Sequence, residues 1–200
     1  MDKDTIKAAL KEAILQRRST RAYTDQPVED ELVEEIIEAG RYSPSANNKQ
    51  AARFIVITNA EKRAELRAVV TGVLAAMPEN EGMPPVFLSL LQRARQGEVD
   101  VTYGAPVLIV TANKKGSMNG AADCACALQN MMLTASALGL GNVWINQFYM
   151  LRDAPPVADF FKDLGLEEDE EVWGALSVGY SEKIETTPLP RTGNNVTYIK

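Results

Sequence analysis

The sequence predicts one domain of α+β or α/β type, built on a single central sheet. Two patterns indicate this fold. In several segments apolar residues recur every three or four positions, which is typical of amphipathic helices. Between these segments lie short continuous apolar runs, the clearest being residues 105–112 (APVLIVTA), which is typical of a central strand. Both kinds of segment are interspersed along 200 residues without a repeat or a linker, so we expect a single domain over residues 1–200.

The individual elements follow from the same periodicities and from their flanking residues. Gly40 is expected to stop the second helix, and the longest helix is apolar on nearly every side, which indicates burial in the core or against a partner. Helices are predicted at residues 4–16, 32–40, 60–76, 86–96, 121–138 and 155–165, and strands at 54–58, 105–112, 141–147 and 171–180.

The composition limits what the protein can do. A net charge of −6 argues against a general affinity for nucleic acid or for anionic membranes, and no apolar run is long enough to span a membrane. The N-terminal segment has acids before its apolar positions and lacks a signal-peptide cleavage site, so we expect a cytoplasmic protein. Cys124 and Cys126 are expected to be free thiols, as in a reducing compartment.

The absence of histidine narrows the chemistry further. The chain has no histidine and two cysteines, which excludes catalytic triads with a histidine base and any metal ligated by histidine. We therefore expect no metal site. If the protein is an enzyme, its chemistry comes from a cofactor.

Three arginines in residues 17–21 (RRSTR) form a local excess of positive charge in an acidic protein. Arg17, Arg18 and Arg21 could bind a phosphate through their planar guanidinium groups, with Ser19 as a further donor. Alternatively, the arginines complement the C-terminus of the first helix, which is a common arrangement. On these residues alone the second alternative is favoured.

Residues 42–50 (YSPSANNKQ) carry amides and small side chains between a helix and a strand, with one charge, at Lys49. Asparagine and glutamine can bind the edge of an imide, and Ser45 and Ala46 are small enough for a flat ring to approach the backbone. The alternative is a plain turn in which the asparagines serve the backbone geometry. The absence of charge before Lys49 favours a ligand but does not exclude the turn.

Residues 139–147 (GLGNVWINQ) predict a turn into a strand that ends in Trp-Ile-Asn-Gln. The two glycines are explained by a helix stop and a turn, and the third glycine of a dinucleotide fingerprint is missing. The polar strand end is not explained in this way, and ligands often bind at such ends. Arg191 in the polar tail carries no signal by itself.

Taken together and in this order, RRSTRAY, SPSANNKQ, GAPVLIV, DCACALQNMMLTASALGLG, WINQ and the closing VGY with PLPR resemble the FMN-dependent nitroreductase family over nearly the whole chain. The resemblance implies an α+β fold with a central mixed sheet flanked by helices, in an intertwined homodimer with FMN sites between the subunits. It also accounts for the missing histidine, since a flavin carries its own chemistry.

The resemblance also implies residue roles. The phosphate and ribityl chain would be held by Arg17, Arg18, Ser19 and Arg21, joined by Arg191. The flavin ring would be lined from the other subunit by Pro44, Ser45, Ala46, Asn48 and Gln50. The segment Trp144, Ile145, Asn146 and Gln147 would place a backbone N–H of Asn146 or Gln147 near flavin N5. The family often has Gln-Pro-Trp after the asparagine, where this chain has Gln50, Ala51 and Ala52, and often Glu or Gly in place of Asn146 and Gln147.

The implied activity is the reduction of nitroaromatics, quinones or related small acceptors by NAD(P)H, in a ping-pong cycle through FMN. Three alternatives stay open: a specialised enzyme of the same fold, such as a dehalogenase or a flavin-fragmenting enzyme; an FMN-binding protein without turnover; and a structural domain without flavin. The specialised enzymes of this fold usually carry additional lid residues over the ring, for which residues 77–85 and 113–120 are the candidate segments. The sequence distinguishes neither NADH from NADPH nor one acceptor from another.

Overall fold

The computed structural model describes residues 2–193 and 195–200. The helices are α1 (Lys3–Gln16), α2 (Asp30–Arg41), α3 (Ala60–Ala76), α4 (Pro85–Arg95), α5 (Gly120–Ala137), α6 (Gln147–Leu151) and α7 (Pro155–Asp163). The strands are β1 (Arg53–Ile57), β2 (Val107–Lys114), β3 (Gly141–Ile145) and β4 (Glu170–Gly179), and one turn of 3₁₀ helix covers Ala46–Asn48.

The four strands form one sheet in the order β1-β2-β4-β3, and each neighbouring pair is antiparallel. In the described part of the chain, parallel pairing occurs only outside these four strands, at an isolated bridge between Ser19 and Asn142. Strand β2 is central and buried, as its continuous apolar run predicts.

Helices cover both faces of the sheet because the side chains of β2 alternate between two cores. Leu108 and Val110 pack with the helices α3, α4 and α7, whereas Val107 and Ile109 pack with α2 and α5. The predicted burial of α5 in the core is confirmed for the side that faces the sheet and α2, whereas Ala121, Ala122, Gln129 and Ala137 are exposed.

The prediction that Gly40 stops α2 is wrong. The helix continues to Arg41, so Gly40 lies inside its last turn. A Cβ atom at Gly40 would lie 3.0 Å from Cγ and Sδ of Met131, a fully buried side chain of α5. The glycine therefore allows α2 and α5 to approach closely, and this close approach could not be inferred from a pattern within one helix.

The predicted strand after the glycine turn also ends earlier than expected. Gly139 follows α5 with a φ of 77°, as a glycine helix stop predicts, but β3 ends at Ile145. Asn146 is the N-cap of α6, and Gln147 is its first residue. The two polar residues therefore belong to a turn and a short helix that the sequence analysis did not predict.

Helix α1 has no buried residue. Its apolar stripe is about half exposed, at 52% for Ile6, 56% for Leu10 and 52% for Ile14. Ala9, Ala13 and Gln16 lie on a neighbouring side of the helix and face Ser136 and Ala137 across a narrow cleft. The stripe thus has no partner among the residues that the structure describes.

We expect Gly40→Val to lower the free energy of unfolding by about 1–3 kcal/mol, because the new side chain must displace the buried Met131. Urea denaturation would measure the change. Gly72→Val on α3 is the matched control, since a Cβ atom there meets nothing within 4 Å. The double variant with Met131→Ala should cost less than the sum of the two single variants, and strict additivity would contradict the packing argument.

Candidate functional site

The arginine segment is held against the edge of the sheet. Ser19 forms the parallel bridge to Asn142, and the amide of Thr20 donates to the carbonyl of Asn142 at 2.9 Å. A Cβ atom at Gly141 would lie 2.7 Å from Cγ2 of Thr20, so the approach requires glycine at this position. The backbone of residues 19–20 therefore has a fixed position beside the start of β3.

Arg18 is engaged in structural contacts. Its guanidinium donates to the carbonyls of Leu15 (2.7 Å) and Arg17 near the end of α1, and to the carbonyl of Thr187 (2.8 Å) in the tail. The bonds to Leu15 and Arg17 satisfy carbonyls that the helix end leaves without partners, and the bond to Thr187 ties the tail to this point. For this residue, the structure corresponds to the alternative in which arginine complements the helix C-terminus.

Arg17 differs from Arg18 in its hydrogen bonding. Its Nη1 atom is buried and has no hydrogen-bond partner among the described residues. Burial lowers the pKa of this guanidinium, and the charges of Arg18 and Arg191 lower it further, so Arg191 of the tail lies close enough to act on it. A buried donor beside two other cations favours an anion at this point. The arrangement fits a phosphate group.

Arg21 lies near an aromatic side chain. Its guanidinium lies 6.0 Å from the centre of the Tyr103 ring, at the outer limit of a cation–π contact. The neighbouring Tyr23 donates its hydroxyl hydrogen to the carbonyl of Thr20 at 2.8 Å, and burial raises the pKa of this tyrosine. The charges that lower the pKa of Arg17 are those of Arg18 and Arg191, and that of Arg21 is not among them.

The amide loop, residues 44–50, is a tight turn with an unusual backbone. Asn47, Asn48 and Gln50 have φ values of 53°, 52° and 51°, in the left-handed region that asparagine tolerates better than most residues. The amide of Gln50 donates to Oγ of Ser45 at 2.9 Å, and its side chain donates to Oδ1 of Asn48 at 3.1 Å. The asparagines thus serve the turn geometry, while Pro44, Asn48 and Gln50 remain exposed.

Asp123, which the sequence analysis missed, contacts this loop. It lies in the first turn of α5, is 8% exposed, and accepts a hydrogen bond from the amide of Ala46 at 3.2 Å. The signal that could have found it is a carboxylate in a helix that is otherwise apolar on nearly every side.

The segment after β3 exposes backbone donors. Trp144 is 36% exposed, and Asn146 and Gln147 begin α6, whose first amides have no partner inside the helix. Aromatic contacts hold the helix that follows this turn. Tyr149 of α6 stacks on Trp173 of β4 at 5.2 Å, and Arg152 lies 4.1 Å from the centre of the Tyr149 ring. Free amides on such a turn are the type of donor that the resemblance places near flavin N5.

Four of the predicted site residues, Ser45 and Gln50 on one side and Arg17 and Arg18 on the other, line two separate clefts within the chain. A cleft of about 430 Å³ is lined by Ser43, Ser45, Gln50 and Asp123, together with α2 and β1. Another, of about 280 Å³, is lined by Arg17 and Arg18, together with α1, the end of α5 and the tail. These two clefts have no residue in common, so the structure does not bring the amide loop and the arginines into one cavity.

The two segments expected to form a lid differ in how they are held. Residues 77–84 connect α3 to α4. Arg95 donates to the carbonyls of Ala75 (3.3 Å) in the last turn of α3 and Met77 (3.0 Å), and so holds the start of this segment. In the second segment, Lys114 pairs with Asp169 at 2.6 Å, while Met118 at the tip is almost fully exposed. The exposed tip of the second segment is the better candidate for a cover.

The comparisons with known proteins address the whole chain. The family model for the nitroreductase family matches residues 14–180. The chain belongs to the nitroreductase family. The family and the enzyme class expected from the sequence, an oxidoreductase of the nitroreductase type, are thereby confirmed.

Individual relatives agree with this assignment. The chain is 29% identical to the nitrobenzene nitroreductase of Ectopseudomonas oleovorans over 84% of this chain and 85% of that protein. It is 30% identical to the NADPH-flavin oxidoreductase of Vibrio harveyi over 86% of this chain and 65% of that protein. A crystal structure of a nitroreductase with bound FMN from Bacteroides fragilis superposes with a TM-score of 0.85, at 29% identity, over 96% of this chain and 98% of the other, which confirms the predicted fold.

Two further findings concern metals and membranes. Among the described residues, no three side chains of histidine, cysteine, aspartate or glutamate come together where they could hold a metal ion. No helix in residues 2–193 or 195–200 combines the length and the apolarity needed to cross a membrane.

We expect Arg18→Ala to lower the free energy of unfolding of the apoprotein by about 1–2 kcal/mol, since three backbone carbonyls lose a charged donor. Arg17→Ala should leave this free energy unchanged or raise it, because it removes a partly buried charge beside two other cations. Chemical denaturation of both variants in parallel makes the comparison, and an equal loss in both would contradict the division of roles.

Proposed function

We propose that the chain is an FMN-dependent oxidoreductase that uses NAD(P)H to reduce small acceptors such as nitroaromatics or quinones. The observation that carries this proposal is the buried Nη1 of Arg17, which has no hydrogen-bond partner among the described residues; the charges of Arg18 and Arg191 lower the pKa of this guanidinium, which favours an anion at this point. Family membership and the FMN-bound relative support FMN as the group that supplies this anion. The NADPH-flavin oxidoreductase among the relatives supports a nicotinamide donor.

On this proposal the cofactor phosphate lies against Arg17 and Arg191, with Ser19 as a further donor. Arg18 supports the site by fixing the end of α1 and the tail, as its bonds to Leu15 and Thr187 indicate. The tail therefore contributes to the site in two ways, through the charge of Arg191 and through the tether at Thr187. Arg21 would reach the ribityl chain from its position over Tyr103.

The ring would lie between the amide loop and the turn at the end of β3. Pro44, Ser45 and Ala46 offer small side chains and backbone to a flat group, with Asn48 and Gln50 at its polar edge. The amide N–H of Asn146 or Gln147 would donate to flavin N5. When bound, FMN supplies the redox chemistry, accepting a hydride from NAD(P)H and passing electrons to the acceptor in a ping-pong cycle.

We further propose a homodimer in which the amide loop of one subunit faces the arginines of the other. The separation of the amide loop and the arginines into two clefts within one chain supports a site shared between subunits. The exposed stripe of α1, together with the exposed Val196, Tyr198 and Ile199 of the tail, supplies apolar surface for such an interface. Each subunit would be a single domain, and a cytoplasmic location stays a prediction.

An absorption spectrum of the purified protein, before and after anaerobic addition of NADH or NADPH, tests the assignment. We expect the bands of oxidised flavin, and bleaching with at least one donor. The Arg17→Ala variant should bind added FMN at least about tenfold more weakly than the wild type, because it removes a charged phosphate donor. A wild-type protein that ignores added FMN would overturn the proposal, and one that binds FMN but oxidises neither donor would favour a binding protein without turnover.

We expect Leu10→Lys together with Ile14→Lys to weaken dimer association by about a hundredfold or more, since two apolar side chains lose their burial. Sedimentation velocity over a concentration series would measure this. Ala8→Lys is the control, because Ala8 is exposed and lies about 160° around the helix from Leu10. A wild-type protein that is monomeric at all concentrations would contradict the shared site.

A further inference from the structure

The carboxylate of Asp123 is a buried charge with a specific neighbour. At 8% exposure it accepts the amide hydrogen of Ala46, and it lines the cleft between the amide loop, α2 and β1. Glu34, the other acid on this cleft, is exposed on α2. Burying a carboxylate is costly unless it is hydrogen-bonded, and its place in the first turn of α5 offsets part of that cost through the helix dipole.

The backbone of the amide loop needs external support. Three residues other than glycine, Asn47, Asn48 and Gln50, lie in the left-handed region within four positions. Such conformations persist where the surroundings over-determine them, and they cluster at functional sites. The bonds within the loop, from Gln50 to Ser45 and Asn48, hold its shape but do not fix its place on the protein.

The bond from Ala46 to Asp123 fixes that place. In the part of the chain that the structure describes, it is the one hydrogen bond that joins residues 44–50 to any other part of the chain. Ser45 and Ala46 are also partly buried, so packing contributes to their position, but their hydrogen bond to the rest of the chain is to this one carboxylate.

Helix α5 holds both this loop and the helix before it. Seven residues after Asp123, Asn130 donates to the carbonyl of Ala39 at 3.2 Å, and the next residue, Met131, packs against Gly40. Seven residues are two helical turns, so Asp123 and Asn130 lie on one face of α5. The end of α2 and the turn of the loop are thus both attached to the same face of α5.

We propose that Asp123 is a positioning residue for the flavin ring. Its carboxylate holds the amide of Ala46, so that the backbone of Ser45 and Ala46 presents a preformed surface to the ring. This inference rests on the proposed function and deepens it. Asp123 itself does not contact the cofactor in this account, and it acts through the loop by reducing the ordering that binding would otherwise require.

Three substitutions separate geometry from charge. Asp123→Asn keeps an oxygen acceptor at the same place and removes the charge. Asp123→Glu keeps the charge but lengthens the side chain by one methylene, so the acceptor no longer lies at the position that Ala46 N–H meets in the wild type. Asp123→Ala removes both. Glu34→Gln is the matched control, since it neutralises the exposed acid on the same cleft.

The measurements are FMN titration of the full-length apoprotein by quenching of flavin fluorescence, and the visible circular dichroism of the bound flavin. We expect the dissociation constant for FMN to rise about tenfold to a hundredfold in Asp123→Ala and Asp123→Glu, with an altered dichroism spectrum, as for the loss of one charged hydrogen bond. Asp123→Asn and Glu34→Gln should stay within about threefold of wild type.

The outcomes are distinguishable. A wild-type protein that does not bind FMN contradicts the proposed function itself. If wild type binds FMN and Asp123→Glu binds it equally well with the same spectrum, the positioning role is overturned, and a loss in Asp123→Asn as large as in Asp123→Glu would also overturn it. Should Asp123→Ala fail to fold, the pair Asp123→Asn and Asp123→Glu still decides, because both keep a polar group in the first turn of α5.

Discussion

The close packing of α2 on α5 determines where the rest of the candidate site lies. Gly40 and Met131 meet at a distance that leaves no room for another side chain, and Asn130 ties the carbonyl of Ala39 to the same helix. Helix α5 in turn packs on the buried face of β2 and β4 through the core that contains Ile109 and Met131. Because protein interiors are close-packed, the sheet determines the position of α5, and α5 determines that of α2, which leads into the amide loop.

A second constraint acts at the other end of the chain, where two adjacent arginines have different surroundings. Arg18 satisfies three backbone carbonyls and so joins α1 to the tail. Arg17 has a buried nitrogen without a hydrogen-bond partner among the described residues, and the charge of Arg191 lowers its pKa. The structural interpretation of RRSTR thus applies to Arg18, while the proposed anion site would use Arg17, so the two interpretations concern different residues of the same segment.

The sequence predicted the features that are local in the chain. The central strand β2 follows from its apolar run, the burial of α5 from its apolar sides, and the family from an ordered set of motifs. Features that depend on distant neighbours were not predictable in this way. A glycine near a helix end looks like a stop until Met131 is known to lie opposite it. Asp123 opens the DCACALQN stretch, but nothing in that stretch indicates its hydrogen bond, which is visible only once Ala46, 77 positions earlier, is adjacent to it.

The shape of the single chain bears on how the site is completed. The amide loop and the arginine segment line separate clefts, although the proposed cofactor needs both a phosphate site and a surface for its ring. Each segment is tied to its own part of the core, the loop through Asp123 and the α2–α5 contact, and the arginines through the bridge to Asn142. A second copy of the chain can supply the missing half without moving either segment, and the uncovered stripe of α1 offers apolar surface for it. In the homodimer proposed above, the fixed position of each segment would explain why assembly, rather than closure of one subunit, would form the complete site.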